Sequence, residues 1–179
     1  HNRVRRQRQM CIRDRIEAVS DLNNPLINLN IVGEGPELDK LKTISLNSNN
    51  KNNIIFHGKL KREDINHVFL NSDIYIQASN YEGLPHSFLE AMSFGIPVLS
   101  TPVGECKEIL KNEEIGYVLD LPVTKESIKS KIVEIISQKD IANIKGQKGR
   151  DFVFEKYDFK NTLKLYKNLF EKLLKDENK

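Results

Sequence analysis

The chain has 179 residues, of which 39% are hydrophobic and 30% charged, and its formal net charge is +3. A chain of this length can bury the core of one domain, and its composition is ordinary for a globular protein. No apolar run is long enough to span a bilayer, which excludes a membrane-spanning segment. The two cysteines, Cys11 and Cys106, indicate no disulfide framework, so we expect a reducing, cytoplasmic compartment.

Residues 1–15 (HNRVRRQRQMCIRDR) differ in composition from the rest of the chain. They contain six arginines and one acid, Asp14, so residues 16–179 alone carry a net charge of −2. A nucleic-acid-binding or targeting arm is one interpretation, although no apolar segment follows that would make it a signal peptide. We favour the other, that the segment is foreign, and predict that residues 1–15 are disordered or non-native and that no nucleic acid binds. The native domain is then residues 16–179.

From Ile16 the chain alternates between helix and strand patterns. The alternation predicts an α/β fold with a Rossmann-like, doubly wound parallel sheet, whose ligands bind at the carboxyl ends of the strands. The loops at that edge are 33–36, 57–60, 79–85 and 101–105. We predict strands at 29–32, 54–56, 73–78, 97–100 and 116–120, and helices ending near 19 and spanning 36–46, 61–71, 86–94, 104–110 and 124 onward, with a break near Tyr157.

The sequence Gly33-x-Gly35 follows a predicted strand and precedes a helix. Leu38 stands where a dinucleotide fingerprint has its third glycine, so the motif predicts an NAD site only weakly. Glycine nevertheless permits a close approach of the backbone, and a phosphate or nucleoside could lie against this loop.

The segment from Ser79 to Val98 carries a more specific pattern. Glu82 lies on a loop at the carboxyl end of a strand, and Glu90 lies in the following helix. The amides near Pro85–Ser87 begin that helix and are natural donors to a diphosphate. Two acids beside an anion site make sense if they accept hydrogen bonds from hydroxyl groups on either side of it, as the hexose and the ribose of a sugar nucleotide provide.

These residues resemble a known family. The run EGLPHSFLEAMSFGIPVLSTPVGECKEIL, with Glu82 and Glu90 separated by seven residues, is similar to the C-terminal, donor-binding domain of retaining GT-B glycosyltransferases, specifically glycosyltransferase family 4 or "glycosyl transferases group 1". The flanks LNIVGEGPEL and IIFHGKL also match, and the resemblance covers Ile16 to Leu174. It implies a nucleotide-sugar donor and transfer of a hexose with retention, in cell-surface polysaccharide or glycolipid synthesis.

The resemblance also implies residue roles. Glu82 would be catalytic and accept from hexose hydroxyls at C3 or C4, with the amides of Gly83 and Leu84 along the same sugar. Glu90 would bind the ribose. The remaining positions would contact the diphosphate or the base: Pro85, Ser87, Gly33, Gly35, Gly58, Lys59 and Leu60. No cofactor or metal is expected, because the family is metal-independent and the chain has no Asp-x-Asp motif.

The chain departs from the family at its start. The family opens this domain with a strand followed by an arginine and a lysine that hold the phosphates, and residues 1–15 stand in that place. We therefore expect that the first strand and the N-terminal, acceptor-binding domain are missing and that this fragment alone transfers nothing. The saccharide or lipid-linked acceptor would bind through the missing domain, with at most peripheral contact at the inner face of the cytoplasmic membrane. The alternatives are a nucleotide-sugar-binding module without turnover and a GT-B-fold sugar-nucleotide epimerase.

Overall fold

The structure, a computed structural model, describes residues 2–48 and 51–176. Helices and strands alternate along most of this length. In chain order they are α1 (Asn2–Leu22), β1 (Leu29–Val32), α2 (Leu38–Leu46), β2 (Ile54–Gly58), α3 (Arg62–Leu70), β3 (Tyr75–Gln77), α4 (His86–Ser93), β4 (Val98–Ser100), α5 (Glu105–Ile109), β5 (Tyr117–Val118), α6 (Lys125–Ser137), α7 (Lys139–Lys156) and α8 (Phe159–Asp176). The α/β alternation predicted from the sequence is confirmed.

The strands pair in parallel throughout the described residues, but they form two ladders instead of one continuous sheet. β1 pairs with β2, and β4 pairs with both β3 and β5. Helices cover both faces, as a doubly wound sheet requires. One face packs against α1, α2 and α6. The other packs against α3, α4 and α5.

Helix α1 runs through the segment for which we expected disorder. Cys11, which precedes the predicted start of the native domain at Ile16, is buried. Ile16, Ala18 and Val19, which follow that start, are buried as well. The helix packs against α2 and α6. Disorder is therefore wrong for residues 11–15, because one apolar face of the helix continues across the change in composition at Ile16. The non-native origin of residues 1–15 stays a prediction, and His1 lies outside the described residues.

Local signals predicted several helix ends correctly. Thr124 caps α6 in a capping box, in which Ser127 N donates to Thr124 Oγ1 at 3.1 Å and Thr124 N donates to Ser127 Oγ at 3.1 Å. Gly95 directly follows the predicted helix 86–94, and its φ of +74° is typical of a glycine that ends a helix.

Helix α7 packs closely on the end of α4. A Cβ added to Gly146 would lie 2.2 Å from the Gly95 carbonyl oxygen, and one added to Gly149 would lie 3.1 Å from the Ile115 carbonyl oxygen. Only glycine allows so close an approach at residue 146. The C-terminal end of α4 is thereby fixed against α7.

The apolar stripe of α8 is not part of the core. Its large side chains are exposed, including Phe159, Leu163, Tyr166, Phe170 and Leu173, and Phe159 reaches 73% exposure. Among the described residues, these side chains therefore lie outside the core. None of the described helices combines the length and apolar content that a membrane span needs.

Candidate functional site

The loop between β3 and α4 contains four of the predicted site residues, Glu82, Gly83, Leu84 and Pro85. It is held by the loop that follows β4. Glu105 N donates to the Gly83 carbonyl oxygen at 3.0 Å, and the hydroxyl of Thr101 donates to the Ser79 carbonyl oxygen. The two loops at the carboxyl ends of β3 and β4 are therefore one connected unit.

Gly104 lies at the closest contact between these loops. Its φ is +54°, and a Cβ at this position would lie 2.1 Å from the Gly83 carbonyl oxygen and 2.3 Å from that of Glu82. A side chain would collide with the backbone of the glutamate loop. Gly104 therefore sets the position of Glu82. We did not single it out from the sequence, because the contact joins segments about twenty residues apart.

A chain of hydrogen bonds connects Ser87 to Glu82. The Tyr75 hydroxyl donates its one hydrogen to Gln77 Oε1 at 2.6 Å, so Ser87 Oγ, 2.7 Å away, is the donor to Tyr75. Gln77 Nε2 donates to Ser79 Oγ at 2.9 Å and lies 3.5 Å from Glu82 Oε1. Burial raises the pKa of Tyr75, which keeps its hydroxyl protonated. Tyr75 and Gln77 were missed in the sequence, although their spacing of two places them on one face of β3.

Helix α4 begins at His86 after Pro85, whose side chain provides no cap. The first amides of a helix lack intrahelical partners and carry the positive end of its dipole, so this terminus favours an anion. Ser87 and Glu90, three residues apart and hence on one helix face, both line a cleft of about 730 Å³ between β1 and β3. Ser87 and Glu90, two residues of the predicted site, therefore border the same cleft.

The glycine loops lie at the ends of β1 and β2. Gly33 N donates to the Gly58 carbonyl oxygen at 2.8 Å, which joins the two loops. A Cβ at Gly33 or Gly35 would have no heavy atom within 4 Å, so their backbone borders open space. Lys59 is exposed and Leu60 is half-buried. Val32, which precedes Gly33, lines the same cleft as Ser87.

Beneath these loops His57 is part of the packing. Its Nε2 lies 2.8 Å from Asn30 Oδ1, which links β2 to β1. Among residues 2–48 and 51–176, no group of three His, Cys, Asp or Glu side chains is arranged to hold a metal ion.

Comparison with known proteins identifies the family of the chain. Residues 8–152 match the model of the family "Glycosyl transferases group 1". The chain is 32% identical over 161 residues to the uncharacterized glycosyltransferase MJ1069 of Methanocaldococcus jannaschii, covering 89% of this chain and 40% of that protein.

Solved structures show the same fold. Sucrose-phosphate synthase from Thermosynechococcus elongatus superposes with a TM-score of 0.83 at 21% identity, over 94% of this chain and 43% of that one. Anabaena Alr3699/HepE in complex with UDP-glucose superposes with a TM-score of 0.76 at 18% identity, over 90% and 44%. The chain thus spans less than half the length of these proteins, and it belongs to the glycosyl transferases group 1 family.

Proposed function

We propose that this domain binds a nucleotide-diphosphate hexose and that, in a longer protein, the hexose is transferred with retention and without a metal ion. The observation that carries the proposal is the hydrogen-bonded chain from Ser87 through Tyr75 and Gln77 toward Glu82, next to the N-terminus of α4. The likeness to a structure that contains UDP-glucose supports the choice of donor.

The diphosphate lies at the start of α4 in this proposal. The backbone amides there are the main donors, because the hydrogen of the Ser87 hydroxyl is directed to Tyr75 in the structure. No metal is needed if the helix dipole and these amides stabilise the leaving diphosphate. Ser87 can add a donor only by turning its hydroxyl away from Tyr75.

The two glutamates then bind opposite ends of the donor. Glu90, one turn into α4, accepts from the ribose, and Glu82 accepts from the hexose, with the amides of Gly83 and Leu84 beside it. Charge-assisted hydrogen bonds of this kind contribute about 1.5–3 kcal/mol each. The base lies against Gly33–Gly35 and the loop from Gly58 to Leu60.

Glu82 also has a role in the transfer step. Positive charge develops on the hexose ring as the bond to the diphosphate breaks, and a carboxylate at its edge stabilises that charge. The acceptor, a saccharide or a lipid-linked saccharide, binds outside this domain and attacks on the face that the diphosphate leaves. We propose a cytoplasmic enzyme that contacts the membrane at most peripherally.

Calorimetry with UDP and UDP-glucose tests the assignment. Glu90→Gln should weaken both ligands by about 1–3 kcal/mol, because both contain the ribose. Glu82→Gln should weaken UDP-glucose and leave UDP unchanged. Glu155→Gln, an exposed acid on α7, is the matched control and should change neither. Equal effects of Glu82→Gln on both ligands would overturn the assignment.

A further inference from the structure

Strand β3 carries two polar side chains on one face, Tyr75 and Gln77. Their backbone groups bond to the chain on either side of β4. Tyr75 N donates to the Pro97 carbonyl oxygen at 3.0 Å, and Thr101 N donates to the Gln77 carbonyl oxygen at 3.1 Å. The Tyr75 ring packs beside Phe69, with 6.3 Å between the ring centroids. Packing therefore fixes the Tyr75 hydroxyl, and only the side-chain amide of Gln77 remains free to turn.

The side-chain amide of Gln77 has a defined direction. Its Nε2 lies 2.9 Å from Ser79 Oγ and 3.5 Å from Glu82 Oε1. Its Oε1 lies 2.6 Å from the Tyr75 hydroxyl. A carboxylate can only accept hydrogen bonds, so the NH₂ group is the end of the amide that must face Glu82. With the amide reversed, two acceptor oxygens would face each other there and repel.

The hydrogen bonds of this network run in one direction, toward Glu82. Ser87 Oγ donates to the Tyr75 hydroxyl at 2.7 Å, and that hydroxyl donates to Gln77 Oε1. Hydrogen bonds that share a direction polarise one another. Burial raises the pKa of Tyr75, so its hydroxyl keeps the hydrogen that it donates. Tyr75 thus holds the carbonyl end of the amide, which leaves the NH₂ end for the carboxylate.

The backbone of the loop that carries Glu82 is fixed by other contacts. Glu105 N donates to the Gly83 carbonyl oxygen at 3.0 Å, and the Thr101 hydroxyl donates to the Ser79 carbonyl oxygen. These contacts fix the main chain beside Glu82, but the direction of its carboxylate depends on its own side-chain torsions. Gln77 supplies a donor to that carboxylate from the rigid sheet.

We propose that Gln77 is a positioning residue for Glu82 and that the Tyr75 hydroxyl fixes the direction of the Gln77 side-chain amide. The pair supports binding of the hexose part of the donor and has no part in binding the nucleotide. The inference rests on the proposed function, because it takes Glu82 as the residue that binds the hexose.

Calorimetry with UDP and UDP-glucose tests the role of Gln77. Gln77→Met keeps an unbranched side chain and removes the donor. It should weaken UDP-glucose about three- to tenfold and change UDP by less than about twofold. In a Glu82→Gln background the same substitution should change UDP-glucose by less than about twofold, because the carboxylate that Gln77 positions is gone.

Tyr75→Phe, which keeps the ring and removes the hydroxyl, tests the role of Tyr75. It should weaken UDP-glucose about two- to fivefold. In the protein without ligand, NMR should show hydrogen exchange of the Gln77 side-chain amide that is about threefold faster or more. Tyr117→Phe is the matched control, because the Tyr117 hydroxyl is buried and has no hydrogen-bond partner among the described residues. It should change neither measurement.

The outcomes separate this inference from the proposed function. Equal weakening of UDP and UDP-glucose by Gln77→Met would overturn the inference, since Gln77 would then act on the whole site. If Glu82→Gln weakens UDP-glucose and Gln77→Met does not, the proposed function stands and the role of Gln77 is wrong. Unchanged amide exchange in Tyr75→Phe would overturn the role of Tyr75. If Glu82→Gln leaves UDP-glucose binding unchanged, the proposed function and this inference are both wrong.

Discussion

Replacing Gly104 by alanine should displace the glutamate loop. The new Cβ would start 2.1 Å from the Gly83 carbonyl oxygen and 2.3 Å from that of Glu82, so the loop must move by about 1 Å to reach van der Waals contact. With φ of +54° and ψ of −140°, Gly104 has a backbone conformation that residues with a side chain rarely adopt, and it costs such a residue about 1–3 kcal/mol. Loss of the Glu105 N to Gly83 bond costs a further 0.5–1.5 kcal/mol or so.

The free energy of unfolding should therefore fall by about 1.5–4.5 kcal/mol, measured by urea denaturation. A shift of 1 Å at Glu82 should also weaken UDP-glucose in calorimetry, while UDP binding changes little. Gly35→Ala is the matched control: no heavy atom lies within 4 Å of its added Cβ, and stability should stay within about 0.5 kcal/mol.

If Gly104→Ala keeps the stability of the parent to within about 0.5 kcal/mol and binds UDP-glucose equally well, Gly104 does not hold the glutamate loop in place. A loss of stability with unchanged binding would refute only the link between Gly104 and Glu82.

Three further predictions follow from the site and the core. In a longer, active enzyme, Glu82→Gln should lower kcat on the order of a hundredfold with a smaller change in donor KM, whereas Glu90→Gln should chiefly raise donor KM. If both substitutions leave kcat and donor KM within a factor of about two, the two glutamates are surface acids. UDP, GDP or ADP should bind equally with and without EDTA, and binding lost in EDTA would contradict the metal-free proposal. Cys11 and Cys106 are buried, and burial raises the pKa of both thiols. Ellman's reagent should therefore label them only after the protein unfolds. Rapid labelling of Cys11 alone would show that α1 does not pack as described.

The elements that the sequence predicted well carry local signals. β1 was predicted with its observed ends because a short apolar run lies between a proline and a glycine, and α6 because Thr124 caps an apolar period. Glu82 and Glu90 could be proposed as site residues from the sequence, because the end of β3 and the start of α4 determine where they lie. β3 and β5 are shorter than predicted, since pairing with β4 limits their length.

The features that were missed depend on contacts between distant segments. The link from Tyr75 to Ser87 and the approach of Gly104 to Gly83 follow from the packing of three loops, which no periodicity encodes. For α8 the period predicted the helix correctly, but an apolar period cannot state whether a partner covers it.

The glycine contact between α7 and α4 has a consequence for the entropy of binding. Since Gly146 holds the Gly95 carbonyl at backbone distance, α4 cannot tilt about its C-terminal end without breaking that contact. The contact therefore opposes a change in the direction of the helix dipole. The amides at the start of α4 are thereby pre-organised, and the diphosphate that we propose to bind there should lose little free energy to ordering the helix.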